Sequence, residues 1–299
     1  MNGITKGVSQ GGILSPVLFT IYVADYNDAV PGTNIQYADD TSNILSGHTE
    51  KHLCDELRKS YDLSKQYFHS NQLKLNATKT EVIFFHKDIS NQQGLKLDDT
   101  FIEQSNNVKY LGIMVDARLN MDEHVNHVIR KINQQLPTVY HVRTLLNYET
   151  KMTYYYAYIF PHLTYGAIFF NKCGKQILKN LEKAYKRVIK ILFMLPKRFP
   201  TKELFSKLRL LDLSQIIHYE TASLAYRIFE NIAPPKISEF FKIQYGTRMR
   251  NLIMTHCVKY KIIKNSICET WNKLSSELKT APTLHHFKKM LRKHYKMDQ

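Results

Sequence analysis

The sequence has few of the features that mark secreted or membrane proteins. Its four cysteines are scattered, with neither the spacing of a zinc knuckle nor the pairing of a disulfide framework. They are Cys54, Cys173, Cys257 and Cys268. The apolar segment between Met152 and Lys172 has no charged residue. It is too short for a transmembrane helix, and Pro161 interrupts it. With no secretory signal at its start, the chain is expected in the nucleus or cytoplasm, neither secreted nor membrane-inserted.

Acidic residues are scarce in the second half, and this scarcity makes the chain strongly basic. The formal net charge of the 299 residues is +16. Residues 1–150 carry 14 Lys and Arg against 17 Asp and Glu, whereas residues 151–299 carry 28 against 9. A positive excess of this size favours phosphate backbones or anionic surfaces. The composition therefore predicts a nucleic-acid partner, with carboxylate chemistry confined to the first half.

Two adjacent carboxylates, Asp39 and Asp40, lie between two short β-prone segments, residues 34–37 and 41–45. Carboxylates at the tip of a hairpin are firmly held and only partly solvated, which suits a divalent metal ion. A solvated corner is the alternative, because turns commonly contain aspartate. The neighbouring sequence is needed to distinguish a metal site from a solvated corner.

A glycine-rich loop upstream of the carboxylates, residues 7–16, leads into an apolar segment, residues 17–23. We expect Ser15 to be the N-cap and Pro16 the first residue of a helix. The segment is apolar nearly all round, which predicts a helix packed against a sheet. Glycines beside Gln10 would let a nucleotide or a nucleic-acid backbone come close. An ordinary glycine turn before a buried helix is the alternative.

These segments resemble ordered motifs of the reverse transcriptases of non-LTR retrotransposons, of the LINE type and its jockey-like group. Residues 7–23 resemble motif B and residues 37–41, Tyr-Ala-Asp-Asp-Thr, resemble motif C. Residues 71–85 resemble motif D, and residues 108–116 resemble motif E. The loop departs mildly from the family, which usually has Pro at Ser9 and Ser at Gly12. Looser likeness continues at residues 161–166, 245–248 and 269–274.

A long helix is expected around residues 49–70, where Leu53, Leu57 and Tyr61 recur at helical spacing, and strand-like segments are expected near residues 80–86 and 108–115. Together with the loop-helix and the hairpin they make an α+β unit. By the resemblance, this unit is the C-terminal part of a polymerase palm, of the right-hand polymerase fold, at residues 1–118. A thumb-like helical domain would follow at residues 119–200 and a helical C-terminal region at residues 201–299. The implied activity is RNA-directed DNA polymerisation from an RNA template, a DNA primer and deoxynucleoside triphosphates. No membrane partner is implied.

The resemblance also assigns roles to individual residues. Asp39, supported by Asp40, would coordinate Mg²⁺ in a two-metal site, and Lys79 would donate a proton to pyrophosphate unless it is simply a solvated charge. The expected nucleotide and template contacts are Gln10, Gly11 and Tyr37. The expected primer grip is Tyr110, Leu111 and Gly112, for which a buried hairpin is the plainer interpretation.

One catalytic aspartate of the family, in motif A, has no counterpart in this chain. Asp25 and Asp28 follow the motif B helix and are not expected to replace it. We therefore expect the chain to be a truncated or clipped polymerase that is inactive alone. An active polymerase in a longer reading frame is one alternative, and a non-catalytic nucleic-acid-binding remnant that uses the basic thumb and tail is another.

The second half is predicted to be helical. Residues 120–136 carry apolar side chains at helical spacing, and residues 176–195 form an amphipathic pattern whose polar side has a lysine row. This row is Lys179, Lys183, Lys186 and Lys190. It is expected to follow phosphates, with a solvated helix face or a membrane-surface helix as alternatives. The tyrosine-rich residues 152–172 are expected to form two buried elements meeting at Pro161, although stacking on bases is conceivable, and residues 196–200 to form a hinge.

Overall fold

The computed structural model describes residues 7–9, 11–85, 95–97, 100–102, 104–245, 250–254 and 261–297. The chain divides into two compact units, residues 1–106 and residues 107–299. The mixture of helices and short strands agrees with the predicted α+β class. The assignment of residues 1–118, 119–200 and 201–299 to palm, thumb and C-terminal region stays a prediction.

The described part of the first unit contains three α-helices and two antiparallel strand pairs, β1 with β2 and β3 with β4. Its elements are α1 (Ser15–Tyr22), α2 (Tyr26–Ala29), β1 (Thr33–Tyr37), β2 (Asp40–Ile44), α3 (Glu50–Ser70), a 3-10 turn (Ala77–Lys79), β3 (Leu95–Leu97) and β4 (Thr100–Ile102). Its described part contains two small clusters of buried apolar residues, both of which include side chains of α3.

Helix α3 was predicted from its apolar spacing and is confirmed. Thr49 caps it, because the threonine hydroxyl accepts a hydrogen bond from the backbone N–H of His52 at 3.3 Å; such caps satisfy one of the amides that a helix start leaves unpaired. Residues 80–86 were expected to be strand-like, and this is wrong for the described part of that segment. Val82 forms only an isolated parallel bridge to Gln104.

Helix α1 is not buried, contrary to the prediction. None of its residues is buried, and Val17, Leu18 and Ile21 are 55%, 51% and 67% exposed. An apolar helix is buried only where a sheet or another helix offers a matching face, and the described strands of this unit form only two-stranded pairs. Ser15 is also not the N-cap: the helix begins at Ser15 after Leu14 and has no side-chain cap.

The second unit is mainly helical. Its first elements are β5 (Asn107–Tyr110), β6 (Ile113–Asp116), α4 (Asp122–Gln134), α5 (Leu136–Val142), α6 (Tyr148–Tyr154), a π-helical turn (Tyr155–Ile159), α7 (Phe160–Thr164), a 3-10 helix (Ala167–Lys172) and α8 (Lys175–Leu192). The remaining elements are α9 (Thr201–Leu208), α10 (Leu213–Phe229), α11 (Pro235–Ser238), β7 (Phe241–Tyr245), β8 (Arg250–Met254), α12 (Lys261–Lys273), α13 (Ser276–Lys279) and α14 (Leu284–Met297).

One hydrophobic core extends through this unit from Val125 to Tyr295. Helix α10 is buried on most sides, as expected of a helix that is apolar nearly all round, and a capping box between Asp212 and Gln215 fixes its start. Trp271 on α12 is fully buried and stacks on Phe229 of α10, with ring centroids 4.7 Å apart. The predicted helices near residues 120–136 and 176–195 are confirmed as α4 and α8.

The tyrosine-rich segment is only partly as predicted. Tyr155 and Ile159 are buried, whereas Tyr156 and Tyr158 are 42% and 56% exposed. The segment does not break into two elements at Pro161, because α6, the π-helical turn and α7 follow one another directly and Pro161 lies in the first turn of α7, where proline is tolerated. Among the described residues, no helix is both long and apolar enough to cross a membrane.

Candidate active site

The two carboxylates lie at the tip of a hairpin, as the sequence predicted. Strands β1 and β2 are antiparallel, Tyr37 pairs with Asp40, and the turn between them contains two residues, Ala38 and Asp39. Ala38 has a φ of 52°, the left-handed conformation that many two-residue hairpin turns require. Asp39 and Asp40 are both exposed. Neither carboxylate is therefore buried in a core, and both are open to solvent.

A polar network holds the hairpin against α3. The amide nitrogen of Asn43 on β2 donates to the hydroxyls of Ser60 and Ser64 at 3.1 and 3.2 Å. The Asn43 carbonyl oxygen accepts a hydrogen bond from the Tyr26 hydroxyl at 3.0 Å, and this hydroxyl lies 2.8 Å from that of Ser64. Buried polar groups joined in this way specify one arrangement, because any shift leaves several of them unpaired.

Asp25, which directly precedes α2, accepts a hydrogen bond from the hydroxyl of Tyr67 on α3. Burial first, and then the neighbouring Asp25 carboxylate, raises the pKa of Tyr67 above its ordinary value. The phenol therefore stays protonated and keeps donating to Asp25. The expectation that Asp25 does not replace the missing metal ligand stays a prediction.

Carboxylate oxygens are the ligands that Mg²⁺ prefers, so Asp39 and Asp40 fit the metal that the resemblance implies. These two side chains, however, supply only some of the ligands that a metal ion needs. In the described residues, no group of three or more His, Cys, Asp or Glu side chains could hold a metal ion. A two-metal site would need at least one further ligand besides these two.

The glycine-rich loop is closed on itself before α1. The Ser15 hydroxyl donates to the backbone carbonyl of Ser9 at 2.6 Å. A Cβ atom at Gly12 would lie 2.6 Å from this hydroxyl oxygen, so the closure requires glycine. Gly11 has a φ of 81° and no other atom within 4 Å of the place of a Cβ, which leaves its backbone open to a ligand. Gln10 lies outside the described residues.

Two further predicted site residues of the first unit are accessible. Lys79 ends the 3-10 turn and is exposed. Asn76 stabilises this turn, since its side-chain oxygen accepts hydrogen bonds from the backbone N–H and the hydroxyl of Thr78 at 3.2 and 2.7 Å. The side chain of Tyr37, beside the carboxylates, is 65% exposed.

The predicted primer grip is a hairpin in the second unit. Strands β5 and β6 pair with Tyr110 opposite Ile113, and the two turn residues, Leu111 and Gly112, have φ values of 45° and 82°. The two left-handed residues are typical of a tight hairpin turn. Tyr110 is half-buried, in keeping with the plainer interpretation of this segment. The primer-grip role stays a prediction.

Residues 161–166, which sequence reasoning assigned no chemistry, supply contacts that support this hairpin. The hydroxyl of Tyr165 donates to the carbonyl oxygen of Leu111. A Cβ at Gly112 would lie 3.3 Å from the Tyr165 ring, and one at Gly166 would lie 2.6 Å from the side chain of Ile113. Two glycines and one tyrosine thus determine how closely the hairpin packs. The Tyr165-Gly166 pair in the sequence was the available signal.

A buried carboxylate fixes the chain between β6 and α4. Asp116 is 7% exposed, and it accepts hydrogen bonds from the backbone N–H groups of Arg118, Asn120 and Met121 at 3.0, 3.2 and 2.9 Å. Three such bonds satisfy the carboxylate where water cannot reach it. Sequence reasoning placed Asp116 in motif E without recognising this structural role.

The predicted lysine row of α8 does not form one free face. Lys179 and Lys183 are exposed, but Lys186 pairs with Glu182. Lys190 donates to the carbonyl oxygens of Lys197 and Phe199 at 3.0 and 2.8 Å. The exposed cations of this helix form a different row, which contains Lys175 and Arg187 in place of Lys186 and Lys190. They are Lys175, Lys179, Lys183 and Arg187.

Comparison with known proteins agrees with the motifs. Residues 3–115 match the family described as reverse transcriptase (RNA-dependent DNA polymerase). The RNA-directed DNA polymerase from mobile element jockey of Drosophila melanogaster is 23% identical over 189 residues, which are 60% of this chain and 21% of that protein. The probable RNA-directed DNA polymerase from transposon BS of the same species is 29% identical over 157 residues, 49% of this chain and 17% of that protein.

The chain spans about a fifth of the length of these curated relatives. No solved structure matches it. The predicted relationship is confirmed: the chain carries a reverse transcriptase domain and is homologous to the RNA-directed DNA polymerases of non-LTR retrotransposons.

Proposed function

We propose that this chain, as the bearer of a non-LTR reverse transcriptase domain, contributes the motif B to motif E part of an RNA-directed DNA polymerase site. The observation that carries the proposal is the hairpin tip, where Asp39 and Asp40 are exposed together on a turn that Asn43 ties to α3. A rigidly placed pair of carboxylates open to solution is the part of a polymerase site that binds metal.

In this proposal Asp39 is a metal ligand and Asp40 supports it. Bound divalent ions would activate the primer 3′-hydroxyl and stabilise the charge that develops on the leaving pyrophosphate. Gln10, Gly11 and Tyr37 would position the nucleotide and the templating base. Lys79 would give a proton to the pyrophosphate. Tyr110, Leu111 and Gly112 would hold the primer.

Primer extension tests this proposal. The chain is assayed alone and joined to the upstream polymerase segment of a jockey-type relative, with an RNA template, a DNA primer and Mg²⁺. We expect extension only from the joined protein, and a loss of about a thousandfold or more in Asp39→Ala, because a lost metal ligand removes several kcal/mol of transition-state stabilisation.

Asp28→Ala is the matched control, since Asp28 is another exposed carboxylate of the first unit. It should leave extension unchanged. Equal activity of Asp39→Ala and the unaltered joined protein would contradict the proposed metal ligand, and a loss in Asp28→Ala as large as in Asp39→Ala would show that the assay reports folding instead.

A second candidate function, nucleic-acid binding without catalysis, is favoured by the one-signed exposed row Lys175, Lys179, Lys183 and Arg187 on α8. Mixed charges are the usual composition of a plain surface. We expect neutralising Lys179 and Lys183 to weaken RNA binding and to reduce the salt dependence by about 0.7 log units per contact. Neutralising Lys186 and Lys190, which are engaged within the protein, should change the slope little. Equal slopes for both double variants would contradict this assignment.

A further inference from the structure

Three elements of the second unit meet around the buried imidazole of His124, which is 1% exposed. The backbone N–H of Met114 on β6 lies 3.5 Å from Nδ1 of His124 on α4. A Cβ at Gly166, directly after α7 and Tyr165, would lie 2.8 Å from Nε2 of the same ring. The β5–β6 hairpin, α4 and the end of α7 are therefore in close contact, and their solvent-facing side chains form one surface.

That surface carries five basic side chains, which we call the junction cluster. They are Lys109 on β5, His127, Arg130 and Lys131 on α4, and His162 on α7. His127, Arg130 and Lys131 are three and four residues apart, so they lie on one face of α4. Lys109 pairs with Met114 across the hairpin, and Met114 contacts the helix one turn before His127. Lys109 and Arg130 are exposed, and the other three are half-buried.

The junction cluster has no acidic partner among the described residues. None of its five side chains takes part in an ion pair there. In addition to burial, the pKa of His127 is lowered by the charges of four neighbours, Lys131, Arg130, Lys109 and His162. Burial and the charge of Lys131 also lower the pKa of His162. Glu220 lines a cavity of about 510 Å³ with His162 and Tyr165. Glu220 is itself faced by Lys288, Arg292 and Arg227.

The pKa values of both histidines of the cluster are lowered in the free protein. Burial, and then the neighbouring cations, lower the pKa of His127 below its ordinary value. Burial and Lys131 lower the pKa of His162 in the same direction. An anion placed against these rings would oppose both causes, because it supplies the opposite charge that the site lacks.

We propose that the junction cluster binds the phosphates of a nucleic-acid duplex, and that His127 and His162 each take up a proton when the duplex binds. This inference rests on the proposed function, since it assumes that the chain handles a primer–template duplex. The cluster adjoins the Leu111–Gly112 turn through the hydrogen bond from Tyr165 to Leu111. A duplex held there would lie along the proposed primer grip.

The sign of the coupling follows from linkage. Because the pKa values of His127 and His162 are lowered in the free protein and raised by the bound phosphates, binding takes up protons between the two values. Duplex affinity therefore increases as the pH falls through this range and becomes constant below it. Each imidazolium gained should contribute about threefold in affinity, and the pair roughly tenfold.

The experiment measures the anisotropy of a fluorescein-labelled RNA–DNA hybrid duplex titrated with the full 299-residue chain. Affinity is measured at constant ionic strength from about pH 8 to about pH 5.5, the range in which histidine titrates. For the unaltered chain we expect affinity to rise about tenfold across this range. The double variant His127→Gln/His162→Gln should lose most of the rise while keeping its affinity near pH 8.

His285→Gln/His286→Gln is the matched control, because it removes two exposed histidines from α14, and it should keep the full rise. A second variant, Lys109→Gln/Arg130→Gln, changes only exposed side chains of the cluster. It should weaken binding at every pH and lower the salt slope by about 0.7 to 0.9 log units per contact. Thermal unfolding of each variant verifies that it is folded.

The outcomes separate the two proposals. A pH-independent affinity, a rise that survives in the cluster variant, or a rise lost equally in the control would overturn the proton-linked site and leave the proposed polymerase function standing. An unchanged salt slope in Lys109→Gln/Arg130→Gln would overturn the phosphate contacts. Absence of duplex binding at any pH would count against both proposals.

Discussion

Single buried polar residues decide how the second unit responds to acid, and His124 is the clearest case. Its ring is 1% exposed and its Nε2 atom has no hydrogen-bond partner. Burial lowers the pKa of His124, and the nearby Tyr165 backbone offsets this only in part. Protonation of a ring in this position is costly, because the imidazolium would be buried without a counter-charge.

We predict that the second unit loses stability as the pH falls below about 6.5, the ordinary pKa of histidine. The unfolded chain then binds a proton that folded His124 refuses, so the free energy of unfolding decreases with falling pH until the folded pKa is reached. Urea unfolding at several pH values measures this. His124→Gln should flatten the dependence, whereas His141→Gln, at an exposed position, should not; equal slopes in both variants would contradict the assignment.

At the scale of elements, each unit has a hairpin that carries predicted site residues and that neighbouring helices support. Neither hairpin is part of a larger described sheet, and an isolated two-stranded hairpin is marginally stable in water. Polar contacts to α3 support the first hairpin through Asn43. Close backbone packing supports the second through Tyr165 and Gly166. The two sites of support can be tested independently.

We predict that Asn43→Ala loosens the β1–β2 hairpin and costs about 1–3 kcal/mol of stability, because it leaves the hydroxyls of Tyr26, Ser60 and Ser64 with fewer partners in a buried position. Hydrogen exchange of the β1 and β2 amides should become faster. Asn34 also lies on this hairpin but donates only to the Val30 carbonyl, at 2.6 Å. A larger effect of Asn34→Ala than of Asn43→Ala would argue against the α3 network as the main support.

We predict that Gly166→Ala destabilises the second unit by about 2–3 kcal/mol. Gly166 has a φ of 72°, and a Cβ there would lie 2.6 Å from Ile113 and 2.8 Å from His124, so the substitution adds both backbone strain and overlap with packed atoms. Gly174→Ala is the control, because its φ is −57° and the nearest atom is 3.7 Å away. Thermal unfolding compares them; similar losses would exclude a special packing role for Gly166.

The sequence predicted the local features of the candidate site better than the burial of its surroundings. The Asp39–Asp40 turn follows from two β-prone segments around a polar pair, and α3 follows from Thr49 and its apolar spacing, because these signals are local. The exposure of α1 could not be predicted, since burial depends on which distant surfaces are present. Helical spacing likewise could not show that Lys190 bonds to the carbonyl oxygens of Lys197 and Phe199 in the following loop. The pairing of Lys186 with Glu182, four residues earlier on α8, could have been predicted from the spacing.

At the scale of the whole molecule, the two units differ in both core and charge. Residues 1–106 carry 9 Lys and Arg against 13 Asp and Glu, and residues 107–299 carry 33 against 13. In the described residues, the first unit has two clusters of three buried apolar residues, whereas the second has a large core from Val125 to Tyr295. Burial of apolar surface is the main source of stability, so the second unit should be the more stable of the two.

We therefore predict that residues 107–299 fold without residues 1–106 and keep most of the duplex affinity. The isolated fragment has its own core and a formal charge of +20 from 33 basic and 13 acidic residues, which is what binding to phosphates requires. Cooperative thermal unfolding measured by circular dichroism, together with anisotropy titration, tests both parts. The reciprocal fragment, residues 1–106, should unfold without a sharp transition, because it exposes Val17, Leu18 and Ile21 and has little core to offset chain entropy. A sharp transition in residues 1–106 together with none in residues 107–299 would reverse this order of stability and contradict the prediction.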